Sequence, residues 1–397
     1  MTPLVLKHYT AVSCIGRGLS ETLRSLVDER SGLAPCAFET VDLAMHVGEV
    51  DGVEETRLPA RLASFDCRNN RLAELALRQD GFAEAVARCA GSIDRRRIGV
   101  FLGTSTSGVL ETELAYRRLD PITGALPDAF DYFGTHNAFS VVQLVRERFA
   151  LEGPAAVLCS ACSSSAKAFA TAQRMLQVGL IDAALVGGVD SLCLTTLYGF
   201  HSLQLISRAA CRPFDVRRDG ISIGEAAAFA LLERAPASLD PDALLLLGVG
   251  ESSDAYHMSS PQPEGRGARA AMLQALASAG LAAGEIDYIN LHGTGTISND
   301  SAESHAVRDV LGSCVPASST KGATGHTLGA AGALEAVICA LALAHGLMPA
   351  GLNTSEVDPA LDISYLCANR RAPLQRVMSN SFGFGGSNCS LILGRAG

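Results

Sequence analysis

Short apolar runs alternate with amphipathic stretches along the whole chain. Apolar runs of strand length occupy residues 98–102, 155–158 and 183–189. Residues 70–77 and 166–176 instead carry apolar side chains at helical spacing. Because strands that alternate with helices form a sheet covered on both faces, this pattern predicts an α/β fold.

A second series of the same kind begins near residue 244. Its predicted elements are strands at residues 244–249 and 286–291, helices at residues 267–280 and 329–345, and a closing glycine-rich stretch at residues 377–393. In both series a loop of small residues leads into a buried helix, once at Cys162 and once at Gly329. The shared arrangement is consistent with an internal duplication.

The composition is that of a compact globular chain. Of its 397 residues, 48% are hydrophobic, 39 are glycine and none is tryptophan. With only 5% aromatic residues, the core must be filled by Ala, Val, Leu and Ile, whose small size allows close packing between layers. The formal net charge of −9 argues against nonspecific nucleic-acid binding, which requires a basic surface. An acidic protein partner would need a local basic patch.

Targeting signals and cysteine spacing bear on location. The N-terminus lacks the apolar run of a signal peptide. The most apolar segment, residues 329–345, falls short of the roughly 20 residues of a membrane span and predicts a buried helix. The 12 cysteines show no disulfide-framework spacing, which indicates reduced thiols. We therefore predict a cytoplasmic protein with no membrane span.

The first segment with candidate chemistry surrounds Cys162, where an apolar strand gives way to a helix. Unpaired N–H groups and the dipole at a helix N-terminus favour a thiolate and predict a lowered pKa. Small neighbours leave room for a substrate. Two alternatives stand beside this interpretation: a buried structural cysteine, and a C-x-x-C pair of Cys159 with Cys162. The pair would need further ligands at short spacing, and the sequence offers none.

Two further segments each place a histidine at a strand or helix end. His292 follows a predicted strand, and the hydroxyls of Thr294 and Thr296 can bond a polar substrate arm. His326 and Lys321 stand just before the apolar helix, where a lysine is costly unless it is paired or solvated. A carboxylate within that helix, Glu335, is its candidate partner. A single histidine after a strand is more often structural.

The last segment interleaves Phe382 and Phe384 with glycines, which suits a gate over a pocket. A tight turn between two final strands is the alternative, and the two are compatible. Each of these signals is weak alone. Together they combine a thiol, two histidines and a lysine at strand ends or loops, and a cysteine with two histidines indicates acyl transfer through a thioester.

Four motifs carry a resemblance to a known family: SACSSSA around Cys162, HGTGT at His292, TKGATGH at residues 320–326, and NSFGFGGSN at residues 380–388. Residues 212–227 and 252–261 give further matches. Over nearly its whole length the chain resembles an elongating β-ketoacyl-acyl-carrier-protein synthase of the thiolase superfamily. The resemblance implies a dimer with a five-layered αβαβα fold in two pseudo-duplicated halves. Residues 1–243 would carry the nucleophile, and residues 244–397 would carry both histidines.

The resemblance also implies a mechanism, a decarboxylative Claisen condensation. The nucleophile takes an acyl group from the phosphopantetheine arm of acyl carrier protein. The histidines then help a malonyl thioester lose its carboxylate and stabilise the enolate. The implied roles are nucleophile for Cys162, histidines of the condensation for His292 and His326, supporting polar pair for Lys321 and Glu335, oxyanion hole for the N–H groups of Cys162 and Phe384, gate for Phe384 with Phe382, and pantetheine contacts for Thr294 and Thr296. No metal, nucleotide or other bound cofactor is implied.

One departure from the family pattern concerns the acyl pocket. In the loop GTSTSG at residues 103–108, Thr106 stands where many members carry a bulky aliphatic residue. The stretches CRNNRLAELAL and SLCLTTLYGFHSLQL are similar to ketosynthases of bacterial aryl-polyene pigment pathways, which extend aryl-primed polyene chains. Those enzymes pair with a second, catalytically impaired ketosynthase-like subunit of the chain-length-factor type. The prediction is thus an aryl-polyene ketosynthase, as a homodimer or such a heterodimer, whose smaller Thr106 admits a rigid chain.

Carrier proteins of this family are acidic, so docking requires local positive charge. Arg68 and Arg71, at the start of a predicted helix, match the family's docking positions, and Arg208 is a further candidate. Ordinary solvated arginines are the alternative for each of them.

Four rival functions remain beside this prediction. A housekeeping fatty-acid elongation enzyme would use the same residues. A non-catalytic partner subunit would normally lack the nucleophile, which is present here. A degradative thiolase would use a second cysteine near the C-terminal loop, where Cys389 is the only candidate. A cysteine hydrolase would have no use for the second histidine.

Overall fold

The computed structural model describes residues 1–397. The strands are β1 Leu4–Ser13, β2 Gly16–Arg17, β3 Ala34–Pro35, β4 His46–Gly48, β5 Ile98–Gly103, β6 Ala155–Leu158, β7 Ala183–Asp190, β8 Ile223–Gly224, β9 Ala226–Arg234, β10 Leu244–Ser253, β11 Tyr288–Asn290, β12 Pro316–Ser318, β13 Leu347–Met348, β14 Ser364–Tyr365, β15 Arg370–Arg371, β16 Arg376–Gly383 and β17 Ser387–Arg395. The α-helices are α1 Leu19–Val27, α2 Arg68–Leu77, α3 Phe82–Ser92, α4 Val109–Tyr116, α5 Ser140–Phe149, α6 Ser164–Gln177, α7 Leu194–Ser202, α8 Arg266–Ala279, α9 Ile297–Leu311, α10 Lys321–Thr324 and α11 Ala331–His345.

The main sheet shows the same topology twice. In the first half the strand order is β6-β5-β7-β9-β1, and in the second half it is β12-β11-β16-β17-β10, with β14 added at the outer edge. When the five shared strands of each half are numbered 1 to 5 in chain order, both halves have the order 3-2-4-5-1. The pairing sense also agrees, since the first two pairs are parallel and the last two antiparallel in each half. The two halves join where β1 pairs with β10 at two positions.

Helices fill three layers around these strands. α6 and α11 lie in the largest core cluster, packed together between the two halves of the sheet. α2, α3 and α5 cover the outer face of the first half, and α8 and α9 cover that of the second. The result is the five-layered αβαβα arrangement, and the predicted fold of two duplicated halves is confirmed. The exact division between residues 243 and 244 stays a prediction; it falls between the end of β9 and the start of β10.

Small residues allow the central helices to approach each other. A Cβ added at Gly332 of α11 would lie 2.7 Å from the Cβ of Ala166 in α6. One added at Gly188 of strand β7 would lie 2.5 Å from the Cβ of Ser165 in α6, so this strand also lies close to that helix. The stretch Leu328–His345 is long and apolar enough to cross a membrane by composition, but 89% of it is buried inside the protein. It is therefore the central core helix that the sequence predicts.

Each central helix is entered through a similar turn. The 3-10 turn Ala161–Ser163 precedes α6, and the 3-10 turn Leu328–Ala330 precedes α11. Each turn begins on a residue with left-handed backbone, φ 52° at Ala161 and φ 51° at Leu328. That conformation costs non-glycine residues about 1–2 kcal/mol. Cys162 and Gly329 hold the second position of these two turns, so they are structurally equivalent.

Candidate active site

A cavity lined by 20 residues opens at the boundary between the two halves. Its floor holds the thiol of Cys162, which comes from the turn before α6, together with His326, from the turn before α11. The predicted site residues that also line it are His292, Thr294, Thr296, Phe382 and Phe384. The structure thus brings together side chains separated by more than 200 positions in the chain.

The thiol lies in hydrogen-bonding contact with His326. Its Sγ is 3.0 Å from Nε2 of His326. The backbone N–H of Leu328 donates to Nδ1 of the same ring at 3.2 Å. Because Nδ1 accepts, the proton of the neutral imidazole lies on Nε2 and faces the sulfur. This N–H favours the thiolate over the thiol.

His292 has the same tautomer for a different reason. Nζ of Lys321 is 3.4 Å from Nδ1 of His292 and donates to the carbonyl oxygen of His292 at 2.5 Å. Nδ1 therefore accepts, and Nε2 carries the proton. The two imidazole rings cross at 84° with centroids 5.3 Å apart. Burial lowers the pKa of both histidines well below its usual value, and the Lys321 charge lowers it further, so both rings are neutral.

The pair of Lys321 with Glu335 lies under the histidines and is fully buried. Nζ donates to the Glu335 carboxylate, as the sequence predicts. Burial raises the pKa of Glu335 to about 6, against the opposing charge of Lys321. The short helix α10 that begins at Lys321 is fixed through its own carbonyls. Sγ of Cys211 donates to the carbonyl of Lys321 at 3.1 Å, and the amide of Asn353 donates to that of Gly322 at 2.8 Å.

The protonation of Cys162 departs from the expectation based on helix position. Burial raises its pKa to about 11. The N–H of Phe384, the Lys321 charge and the N–H of Cys162 itself oppose that rise but do not cancel it. The predicted lowering of the pKa is therefore wrong for the free enzyme, because desolvation outweighs the helix N-terminus. The two N–H groups that act on the sulfur are nevertheless those predicted for the oxyanion hole.

These pKa directions predict how Cys162 reacts with iodoacetamide as the pH changes. Since only the thiolate reacts and its pKa lies near 11, the rate is expected to rise about tenfold per pH unit between pH 7 and pH 10. The histidines are already neutral in this range and add no inflection. Mass spectrometry of the Cys162 peptide measures the rate, and a plateau near pH 7 would contradict the prediction.

Cys162, His292 and His326 could also be read as a metal site, because their donor atoms lie within 4.8 Å of one another. A metal would need the lone pair of each Nε2, with the proton on Nδ1. Lys321 and the Leu328 N–H both donate to Nδ1 and oppose that tautomer. The arrangement fits hydrogen-bond donation to a substrate oxygen better than metal ligation.

Two carboxylates that shape the site were not predicted from the sequence. Glu303 accepts the N–H groups of His292 and Gly293 at 2.8 and 2.7 Å, and burial raises its pKa to about 7. Asp300 accepts the N–H group of Thr294 at 3.0 Å. Both lie one turn apart on α9, directly after the HGTGT motif. Two acidic residues at that spacing, facing a glycine-rich loop, were the signal available in the sequence.

The predicted arm-binding and gate residues line the same cavity. Oγ1 of Thr294 and Oγ1 of Thr296 are 2.9 Å apart. The ring of Phe384 packs against Phe200 with centroids 5.6 Å apart. The loop that carries Phe384 turns at Gly385, whose φ of 80° favours glycine. Its N–H donates to the Met258 carbonyl at 2.8 Å.

The remaining predicted residues lie away from this cavity. Thr106 is buried, and its hydroxyl donates to Asp190 at 2.9 Å. Arg68 is only 4% exposed and is held by Glu225, Glu54 and Glu49.

Arg71 is bound by Asp66 and Glu54. Neither Arg68 nor Arg71 presents a free positive charge, so the structure argues against the docking role predicted for them. Arg208 is exposed and makes no ion pair.

Comparison with known proteins assigns the family. The model of the β-ketoacyl synthase N-terminal domain matches residues 10–238, and that of the C-terminal domain matches residues 245–355. The chain belongs to the β-ketoacyl synthase family. This synthase is an acyl-transferring condensing enzyme, and the predicted ketosynthase activity is confirmed. Cys389, the residue that a thiolase would require, lies in the core cluster instead of the cavity.

The likeness extends over the full length of the synthase. This chain is 34% identical over 422 residues to 3-oxoacyl-(acyl-carrier-protein) synthase 2 of Mycobacterium tuberculosis, and the alignment covers 99% of this chain and 97% of the relative. The solved ketosynthase ApeO of Xenorhabdus doucetiae, in complex with its chain length factor ApeC, is 40% identical with a TM-score of 0.90, covering 100% of this chain and 98% of that one. A β-ketoacyl synthase from Burkholderia phymatum STM815 is 30% identical with a TM-score of 0.87, covering 100% of both chains.

Proposed function

We propose that the synthase condenses a malonyl unit with an acyl group held on Cys162, extending an aryl-primed polyene chain. The observation that carries the chemistry is the pair of Nε2–H donors of His292 and His326 beside one buried thiol. In the first step the Cys162 sulfur attacks the carrier-bound thioester. A new C–S bond forms as the C–S bond to the carrier breaks, and the proton of the Cys162 thiol ends on the departing carrier thiol. The N–H groups of Cys162 and Phe384 are placed to stabilise the oxyanion that develops.

In the second step the two histidines act on the malonyl thioester. Their Nε2–H groups donate to its carbonyl oxygen, which takes up negative charge as the C–C bond to the carboxylate breaks and CO2 leaves. Two neutral donors in a buried site stabilise this enolate more than water would. Its carbon then attacks the acyl–Cys162 carbonyl, and the C–S bond breaks to release the product and the thiolate. The role proposed for Lys321 and Glu335 is to hold His292 in the donating tautomer.

Two observations support an aryl-polyene substrate over housekeeping fatty-acid elongation. Identity is 40% to a ketosynthase solved with its chain length factor, compared with 34% to a 3-oxoacyl-(acyl-carrier-protein) synthase 2. Thr106 also places a small side chain where the family often has a bulky one. Substrates would be carried on the phosphopantetheine arm of acyl carrier protein, which Thr294 and Thr296 would contact. The scheme needs no resident cofactor and suits a cytoplasmic enzyme.

The substrate proposal is tested by two variants of Thr106. Thr106→Val removes the hydroxyl that bonds Asp190, and Thr106→Ile adds one further methylene. If bulk at this position excludes a rigid chain, transfer from an aryl-polyene carrier will fall by roughly 10-fold or more in T106I but not in T106V. Transfer from a saturated acyl carrier will be kept in both variants. Intact mass of the acylated protein measures both. Equal preference in T106I and the unchanged enzyme would refute the role of Thr106, and failure of the unchanged enzyme to take aryl groups would refute the substrate.

We propose a dimer, formed with a second copy or with a subunit of the chain-length-factor type. Strand β6 ends the main sheet and has an unpaired edge. Its four residues are apolar and only half-buried. An apolar edge strand of this kind is a natural site for pairing with a second chain. The two ketosynthases solved with chain length factors have TM-scores of 0.90 and 0.89 to this chain, which supports a partner of similar shape.

Arg208 is the proposed docking residue for the acidic carrier. A change of Arg208 to Glu is expected to raise KM for carrier-bound substrate several-fold, since rim charges act on encounter, and to leave KM for a short thioester mimic unchanged. Steady-state kinetics with both substrates check this. Arg266→Glu, at another exposed arginine, is the matched control. An equal rise of both KM values would speak against docking.

A further inference from the structure

A further buried carboxylate, Asp190, lies beside the active site and takes no part in the proposed chemistry. Asp190 ends strand β7 and is completely buried. Its Oδ1 accepts four hydrogen bonds from the loop after β5, two from hydroxyls and two from backbone N–H groups. The donors are Oγ1 of Thr104 at 2.8 Å, N of Ser105 at 2.7 Å, N of Thr106 at 2.8 Å and Oγ1 of Thr106 at 2.9 Å.

The other oxygen of Asp190 faces the opposite half of the molecule. Oδ2 accepts the N–H of Gly329, in the turn that leads from His326 into α11. No larger residue fits there, because a Cβ at Gly329 would lie 2.8 Å from Oδ2. The residue before it, Leu328, has the left-handed φ of 51°. Its N–H is the group that donates to Nδ1 of His326.

These contacts form a continuous chain from one carboxylate to the nucleophile. We propose that Asp190 is a positioning residue for His326: by holding the Gly329 N–H it keeps the strained Leu328 turn in place, so that the Leu328 N–H fixes the His326 tautomer. Nε2–H of His326 then points at Sγ of Cys162. This inference rests on the proposed roles of Cys162 and His326. It also links the loop that carries Thr106 to the histidine.

A simpler role for Asp190 would be electrostatic, and the two roles predict opposite results. As a bare negative charge near the thiol, Asp190 disfavours the thiolate. Removing that charge would speed alkylation of Cys162. As a positioning residue, its loss would release the turn, let the His326 proton move to Nδ1, and slow alkylation.

Asp190→Asn separates these roles at constant size. The amide oxygen of the new side chain would accept the four hydrogen bonds that Oδ1 accepts now. Its NH2 group would then face the Gly329 N–H, and two donors cannot form a hydrogen bond with each other. We expect slower alkylation of Cys162 by iodoacetamide and a loss of malonyl-carrier decarboxylation of about 10²-fold. Asp182→Asn is the control, since Asp182 adjoins the other end of β7 and pairs with Arg97 and Arg234 at the surface. Thermal melting confirms that both variants fold.

A measurement on the unchanged enzyme covers the case in which D190N does not fold. In ¹⁵N spectra of histidine-labelled protein, the His326 proton should be on Nε2; a proton on Nδ1 would overturn the inference. Faster alkylation in D190N, or decarboxylation equal to that of D182N, would also overturn it and would leave the proposed function standing. If the unchanged enzyme did not decarboxylate malonyl carrier at all, the proposed function would be refuted, and the inference with it.

Discussion

Changing Cys162 to Ala is expected to abolish condensation while malonyl decarboxylation continues. Cys162 is the only cysteine that lines the cavity, and its thiol is the proposed holder of the acyl chain, so condensation should fall by about 10³-fold or more. The Nε2–H donors of His292 and His326 are untouched, because Lys321 and Leu328 set their tautomers from outside the cavity. Carbon dioxide release and product formation, measured side by side, should therefore separate.

Cys159→Ala is the matched control for that result. Cys159 lies three positions before the nucleophile but is exposed and does not line the cavity. The C159A protein should gain the mass of one acyl group and condense at the normal rate, whereas the C162A protein should gain none. An acyl group retained in C162A would place the nucleophile elsewhere and refute the mechanism.

Changing Lys321 to Met is expected to have the second largest effect, on both stability and chemistry. Removing one member of a buried ion pair leaves Glu335 with an uncompensated charge, which costs about 3–5 kcal/mol of unfolding free energy. The same change removes the donor to Nδ1 of His292. Decarboxylation should then fall by about 10²-fold, because His292 no longer holds its proton on Nε2. Chemical denaturation and carbon dioxide release measure the two effects.

A double variant distinguishes the two consequences of losing Lys321. In K321M/E335Q no unpaired charge is buried, so most of the lost stability should return. The donor to His292 is still missing, so decarboxylation should stay low. If decarboxylation recovered together with stability, Lys321 would have only a structural role, and its proposed function in holding the tautomer would be wrong.

Much of the fold could be predicted from the apolar pattern, because strands appear as short apolar runs and helices as apolar side chains at helical spacing. Strand β6 spans Ala155–Leu158 as predicted, and α6 extends only a few residues beyond the predicted 166–176. The strand predicted at 286–291 is shorter, at Tyr288–Asn290, because the chain leaves the sheet to place His292. The predicted helix at 329–345 loses its first two residues to the 3-10 turn Leu328–Ala330.

The site could be predicted only where side chains themselves carry the chemistry. Cys162, His292 and His326 stood out by type and position, and Glu335 was found because a lysine near an apolar helix needs a partner. Asp190 could not be found in this way, since it lies in an apolar strand and acts on a turn 139 positions away. The burial of Arg68 was equally hidden, because its carboxylate partner Glu225 lies 157 positions away, between β8 and β9.

Cys162 and Gly329 occupy equivalent positions, and the two halves of the fold use this shared turn differently. The turn occurs once in each half, at the boundary between the halves. Each copy contacts the end of a strand from the other half: the turn at Cys162 contacts the end of β16, and the turn at Gly329 contacts the end of β7. In one copy that strand end supplies the amide of Phe384 and leaves space for a substrate. In the other it supplies the carboxylate of Asp190, which fills the equivalent space permanently. The two turns are structurally equivalent, but only one of them carries a nucleophile and opens on the cavity. The other is closed by the carboxylate that we propose supports the first, so the two halves share a fold without sharing a function.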